Sequence, residues 1–88
     1  MELGGNISLQ GFESTEPATL IVVKKIVGNY AKKISEIKDL KKLTVSRNSS
    51  SIEATAQLND KEIKEKASSD NLFFALSEVL NNLLKKLG

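Results

Sequence analysis

An α+β fold, with four strands in one sheet and two helices packed on one of its faces, is what the apolar pattern of this 88-residue sequence predicts. Three observations carry that expectation. The apolar period switches between the strand and helix values in the order β-α-β-β-β-α. Two long segments carry an apolar stripe on one side only. The strands alternate apolar with polar residues, so the sheet turns one face to a core and the other to water.

The elements follow in order. Ile7 to Phe12 alternate as a short strand with Ile7 and Leu9 on one face. Glu13-Ser14-Thr15-Glu16-Pro17 is a helix start: Ser14 and Thr15 are cap residues, Glu16 suits the positive helix end and Pro17 fits the first turn. The helix is expected from about Glu16 to Ile37, with Leu20, Val23, Val27, Tyr30, Ile34 and Ile37 inward. Gly28 weakens it by roughly 1 kcal/mol relative to Ala, either to allow close packing or as a soft point. Leu40 to Ser46 reads as a second strand with Leu43 and Val45 inward, and Asn48-Ser49-Ser50-Ser51 as a turn. Ile52, Ala54, Ala56 and Leu58 alternate with Glu53, Thr55 and Gln57 in the clearest strand of the chain. After a turn at Asn59-Asp60, Lys61 to Ala67 forms a last strand in which Glu65 shares the inward face with Ile63 and Ala67. Ser68-Ser69-Asp70 caps a final helix from about Asn71 to Leu87. Its stripe is Leu72, Leu76, Val79, Leu80, Leu83 and Leu87, with Phe73 and Leu84 on the shoulder.

Composition narrows the chemistry. A chain this short is expected to form a single domain over residues 1–88, with 1–6 as a flexible lead-in. Cysteine is absent, which excludes disulfides and thiolate metal sites and points to a reducing, cytoplasmic setting. Histidine is absent too, removing the commonest metal ligand and neutral-pH acid–base group. No acidic cluster replaces them. The expectation is a protein that is not an enzyme, with no metal, no cofactor and no small-molecule substrate. No apolar run approaches a membrane-spanning length, and Met1-Glu2-Leu3-Gly4-Gly5 has no signal-peptide character, so no membrane is expected. Gly4-Gly5 is not followed by the lysine and serine of a phosphate loop.

What remains is surface chemistry. The net charge of +2 is mild, so basic residues matter only if they gather on one face. Lys24, Lys25, Lys32 and Lys33 do so, opposite the apolar stripe of the first helix; they fit phosphate binding or a solvated helix face. Lys85 and Lys86 fall in the last turn of the second helix, where cations also offset the negative helix end. Lys38, Lys41 and Lys42 form a third basic group at the helix-to-strand junction. Twelve lysines to a single arginine, Arg47, favour recognition by shape and charge over base reading. Phe74 falls outside the apolar stripe, and Ile21 and Val22 fall toward the lysines; these three are candidates for a partner contact. Thr44, Ser46, Thr55, Gln57, Glu62, Lys64 and Lys66 are expected on the open sheet face, without the aromatic pair of sheet-based RNA binders.

The second half of the chain runs Glu53-Ala54-Thr55, a hairpin at Asn59-Asp60-Lys61, Glu62-Ile63 to Ala67-Ser68, then Asp70 before Leu72-Phe73-Phe74-Ala75-Leu76. With the Ser/Thr-Glu start and Lys24-Lys25 of the first helix, this resembles the short ribosome-hibernation promoting factors, or ribosome-associated inhibitors (sigma-54 modulation protein-like). The resemblance spans essentially the whole chain and runs without a gap from Glu53 to Leu87. It implies a fold akin to the double-stranded-RNA-binding domain, and a cytoplasmic stress-response factor that docks on small-subunit rRNA and occludes translation. It also implies rRNA contacts from Lys24, Lys25, Lys32, Lys33, Lys85 and Lys86. The family usually carries more Arg, Lys and His on both helices, where this chain has Gly28, Asn29, Asn81 and Asn82. Its long members add a C-terminal dimerisation domain, so a chain ending at Gly88 is expected not to pair ribosomes in that way. The alternative expectation is a protein–protein module on the same scaffold. The state in solution is expected to be a monomer or a weak homodimer.

Overall fold

Four strands and two helices follow in the expected order: β1 (Ile7–Gln10), α1 (Pro17–Ile37), β2 (Leu40–Asn48), β3 (Ser51–Leu58), β4 (Glu62–Ser68) and α2 (Leu72–Leu87). The computed structural model describes residues 6–48 and 51–87. Residues 1–5 of the lead-in expected over 1–6, and the turn positions Ser49-Ser50, lie outside them. Asn6, the last residue of that expected lead-in, is already tied to β2: its carbonyl accepts from the Leu43 N–H at 2.7 Å and its side-chain amide donates to the Leu40 carbonyl.

The sheet order is β1-β2-β3-β4. β1 lies parallel to β2 with Leu9 opposite Val45, and β2, β3 and β4 form an antiparallel meander. β1 ends at Gln10, short of the expected Phe12, because Gly11 takes a φ of 78°. That region is open to glycine, and a Cβ there would also collide with the backbone carbonyl of Arg47. The turn sends Phe12 into the core, 1% exposed, instead of leaving it on the strand.

The helix starts correct two expectations. Neither Ser14 nor Thr15 caps α1; Glu16 occupies the cap position without a side-chain hydrogen bond, and Pro17 opens the helix. Thr15 is diverted, because its hydroxyl accepts from the Arg47 guanidinium at 3.1 Å while its N–H closes a turn onto the Phe12 carbonyl. α2 is capped one residue later than Ser68-Ser69-Asp70. The Asn71 carboxamide oxygen accepts from the N–H groups of Phe73 and Phe74 at 2.9 and 3.1 Å, and Ser69 Oγ accepts from the Asn71 N–H.

The core lies between the helices and one sheet face. α1 contributes Val23, Val27, Ala31 and Ile34; α2 contributes Ala75, Leu76, Val79, Leu80, Leu83 and Leu87; Leu43, Val45, Ile52, Ala54, Ala56, Leu58, Ile63 and Ala67 line the sheet. Leu20, Tyr30, Leu72 and Leu84 are partly buried against it. Ile37, expected in the α1 stripe, is instead exposed, since the helix ends there and Lys38 turns extended toward β2. Ala31 takes a core position that its small side chain did not announce. On the other face, Thr44, Thr55 and Lys64 line up across β2, β3 and β4, as do Ser46, Glu53 and Lys66, which makes the polar surface expected.

Both helices run the same way. α1 must return the chain between two parallel neighbours, and α2 leaves β4 after three residues and packs back along β4 and β3. The helix N-termini therefore share one end of the sheet with Arg47 and Ser51. The C-terminus of α1 lies at the opposite end, near Lys38, Asp39 and the β3–β4 turn, where the Asn59 amide donates to Asp39. Among the described residues no helix is long and apolar enough to cross a membrane.

Candidate nucleic-acid interface

The amphipathic pattern that buries Val23, Val27 and Ile34 places Lys24, Lys25, Lys32 and Lys33 on the exposed side of α1. At about 100° per residue, Lys25 and Lys32 point nearly the same way, with Lys24 and Lys33 flanking them. At about 1.5 Å of rise per residue, the set extends roughly 13 Å along the helix axis. None of the four is ion-paired among the described residues. Lys33 is held over the Tyr30 ring, its ammonium 5.2 Å from the ring centre, which orients one cation without neutralising it. Glu36 is the sole acidic residue of the helix and lies one turn beyond Lys32 and Lys33, so the four lysines outnumber it along α1.

The two α2 lysines part company. Lys85 is exposed on the outer side with Phe74, Glu78 and Asn81. Lys86 turns toward β4, the far edge strand from α1's side of the sheet, and pairs with Glu65 at 2.5 Å. This also accounts for Glu65 on an inward-facing strand position: it is 17% exposed and its charge is met by Lys86. Of the six expected RNA-contacting lysines, Lys25 and Lys32 share the outermost line of α1, Lys24 and Lys33 stand on its opposite flanks, Lys85 is on the neighbouring helix, and Lys86 is engaged elsewhere.

Ile21 and Phe74 are each 62% exposed, and Val22 is exposed beside Ile21. Phe73, expected on the shoulder of the core, is also at the surface. All four lie in the first turns of the two helices, at the end of the layer away from Lys32, Lys33 and Lys85. The helical layer is thus apolar toward one end and basic from its middle to the other.

A cleft of about 220 Å³ opens at the apolar end, between the β2–β3 end of the sheet and the start of α2. Arg47, Ser51, Ser69 and Asp70 bring polar groups to it. Ile52, Leu72 and Ala75 supply an apolar wall. Sequence reading singled out Arg47 only as the lone arginine; its partners in the cleft come from three separate segments and carry no joint motif. Among the described residues no cluster of carboxylates converges as a metal site.

The arrangement of strands and helices matches that of solved structures, at sequence identities where the likeness is one of fold. One is the Protein Y N-terminal domain from Thermus thermophilus, with a TM-score of 0.63, 13% identity, and 92% of this chain covering 91% of that one. A second is a ribosomal subunit interface protein from Coxiella burnetii, with a TM-score of 0.61, 18% identity, and 93% of this chain covering 92% of that one. No protein-family model matches the sequence, and no curated protein matches it significantly. The resemblance drawn from the sequence therefore holds at the level of the fold, over nearly the full length of both neighbours.

Proposed function

We propose that this protein is a ribosome-associated factor that docks on small-subunit rRNA through the outer face of α1 and hinders translation by occupying that surface. The observation that carries this reading is the set of four exposed α1 lysines, Lys24, Lys25, Lys32 and Lys33, unpaired among the described residues, on a fold shared with a ribosomal subunit interface protein. Lysine on a flexible stem binds phosphate as a point charge, suiting a folded RNA read by its backbone. Lys85 adds to the face; Lys86 contributes by holding α2 to β4. The docking requires no catalytic group, cofactor or metal.

Co-sedimentation with small ribosomal subunits across a salt series tests it. Four phosphate contacts give a log–log salt slope of about −3 to −4. Replacing Lys24, Lys25, Lys32 and Lys33 with Glu should abolish binding at moderate salt; unchanged binding and slope would overturn the assignment. A second reading is favoured by Ile21, Val22, Phe73 and Phe74, which gather toward one end of the helical layer: a protein–protein module that self-associates there. Sedimentation equilibrium decides, since a tight dimer dispersed by Phe74→Ser and Ile21→Ser supports it and a monomer at all concentrations removes it.

A further inference from the structure

Arg47 and Asp70 line the same cleft and do not neutralise one another. The Arg47 guanidinium spends one N–H on Thr15 Oγ1 and makes no ion pair; the Asp70 carboxylate has neither a hydrogen bond nor an ion pair among the described residues. Two opposite charges bordering a space of about 220 Å³ would ordinarily close on each other. Here each is carried by a separate anchored segment. Arg47 sits on β2, paired with Ile52, and its side chain is pinned by Thr15; Asp70 sits in the three-residue link whose neighbours Ser69 and Asn71 are hydrogen-bonded together. The cleft thus offers a donor fork on one side and an acceptor-only carboxylate on the other, over the apolar wall of Ile52, Leu72 and Ala75. The α2 N-terminus contributes little, because Asn71 already satisfies the Phe73 and Phe74 N–H groups.

We propose that this cleft binds a single unstacked guanine of an RNA strand, with Arg47 on its O6/N7 edge and Asp70 on its N1–H and exocyclic amine. The inference rests on the reading of the protein as an RNA binder and names a second contact distinct from the lysine face. Guanine is the base that presents two adjacent acceptors on one edge and two adjacent donors on another, matching a guanidinium fork and a carboxylate together. The volume is below the roughly 300–1,000 Å³ of a drug-sized pocket, so a single ring system is the scale of ligand it takes. The apolar wall of Ile52, Leu72 and Ala75 would cover one face of the ring, and Ser51 and Ser69 add polar residues to the cleft's lining. Single-stranded RNA bases are read in this manner, splayed out and bonded on their edges.

The experiment titrates the intact protein with guanosine, adenosine, cytidine and uridine 5′-monophosphates, following backbone amide and Arg47 guanidinium resonances. Saturable shifts confined to Arg47, Ser51, Asp70 and Leu72, at least about tenfold tighter for the guanosine nucleotide, are expected; a factor of ten corresponds to roughly 1.4 kcal/mol. Asp70→Asn, at an exposed side chain without a partner among the described residues, should erase the guanine preference while leaving the fold unchanged. Arg47→Lys should weaken guanine binding despite the retained charge. Equal shifts from all four nucleotides would mean a phosphate site only, and no saturation up to about 10 mM would mean no site; either overturns the proposal. Tighter binding of a dipeptide zwitterion than of any nucleotide would also overturn it. The variant with glutamate at the four α1 lysine positions separates the two readings. It should lose ribosome co-sedimentation yet keep the guanosine response, whereas failure of the nucleotide titration leaves the wild-type ribosome assay to stand by itself.

Discussion

Helix α1 runs over 21 residues and buries four of them, whereas α2 runs over 16 and buries six. The longer helix starts without a side-chain cap and has no basic residue in its last turn; the shorter one has the Asn71 cap and ends on Lys85 and Lys86. α2 also packs on β3, β4 and α1, while α1 meets β2 along a thinner seam. The difference teaches a division of labour. α2 is built to hold the sheet, and its outer side is a mixture of Phe74, Glu78, Asn81 and Lys85. α1 gives less to the core and carries four exposed lysines, interspersed with Ile21, Val22, Asn29 and Glu36.

Four substitutions, and Ser14→Ala as a control, put that comparison at risk, in descending order of effect. Leu80→Ala, at a fully buried α2 position, should cost about 2–5 kcal/mol in chemical denaturation. That is a large share of the roughly 4–13 kcal/mol expected for a chain of this size, so a loss below about 1 kcal/mol would remove α2 from its anchoring role. Asn71→Ala should lower stability by about 1 kcal/mol, whereas Ser14→Ala, at a residue that caps nothing, should be close to neutral. Gly28→Ala should raise stability by about 0.5–1 kcal/mol, since a Cβ at that position meets nothing within 4 Å. Thermal denaturation reads the gain, and amide exchange should slow around Gly28 before it changes in α2. Lys86→Met should lower stability by about 0.5 kcal/mol, because the exposed lysine's ion pair is screened while its loss leaves the mostly buried Glu65 carboxylate without that partner.

The parts of this architecture legible in the sequence are those governed by a local period. Ile52, Ala54, Ala56 and Leu58 alternate without exception, and the α2 stripe from Leu76 to Leu87 repeats over three turns, so both elements are found where expected. What was not legible depends on contacts between distant segments. Thr15 looks like a cap until Arg47, 32 residues away, takes its hydroxyl. Phe12 reads as a strand residue because nothing local announces that Gly11 must turn beneath the Arg47 carbonyl. Glu65 reads as a flaw in an inward strand face until Lys86 arrives from the last turn of α2. The candidate interface divides the same way: the α1 lysines follow from helical period alone, while the cleft of Arg47 and Asp70 exists only once β2, β3 and α2 are assembled.

The parallel pairing of β1 with β2 has a consequence for how the chain reaches this structure. Their register joins residues 36 apart, as Gln10 with Ser46, whereas β2, β3, β4 and α2 follow one another through short links. Loop closure costs more entropy for the longer span, so the segment from Leu40 to Leu87 is the natural folding nucleus, and β1 with α1 joins it late. Conservative truncations in β3 should slow refolding, while those at Val23 or Val27 should act mainly by speeding unfolding. The helix that carries the positive face would then be the last element to dock and the first to leave.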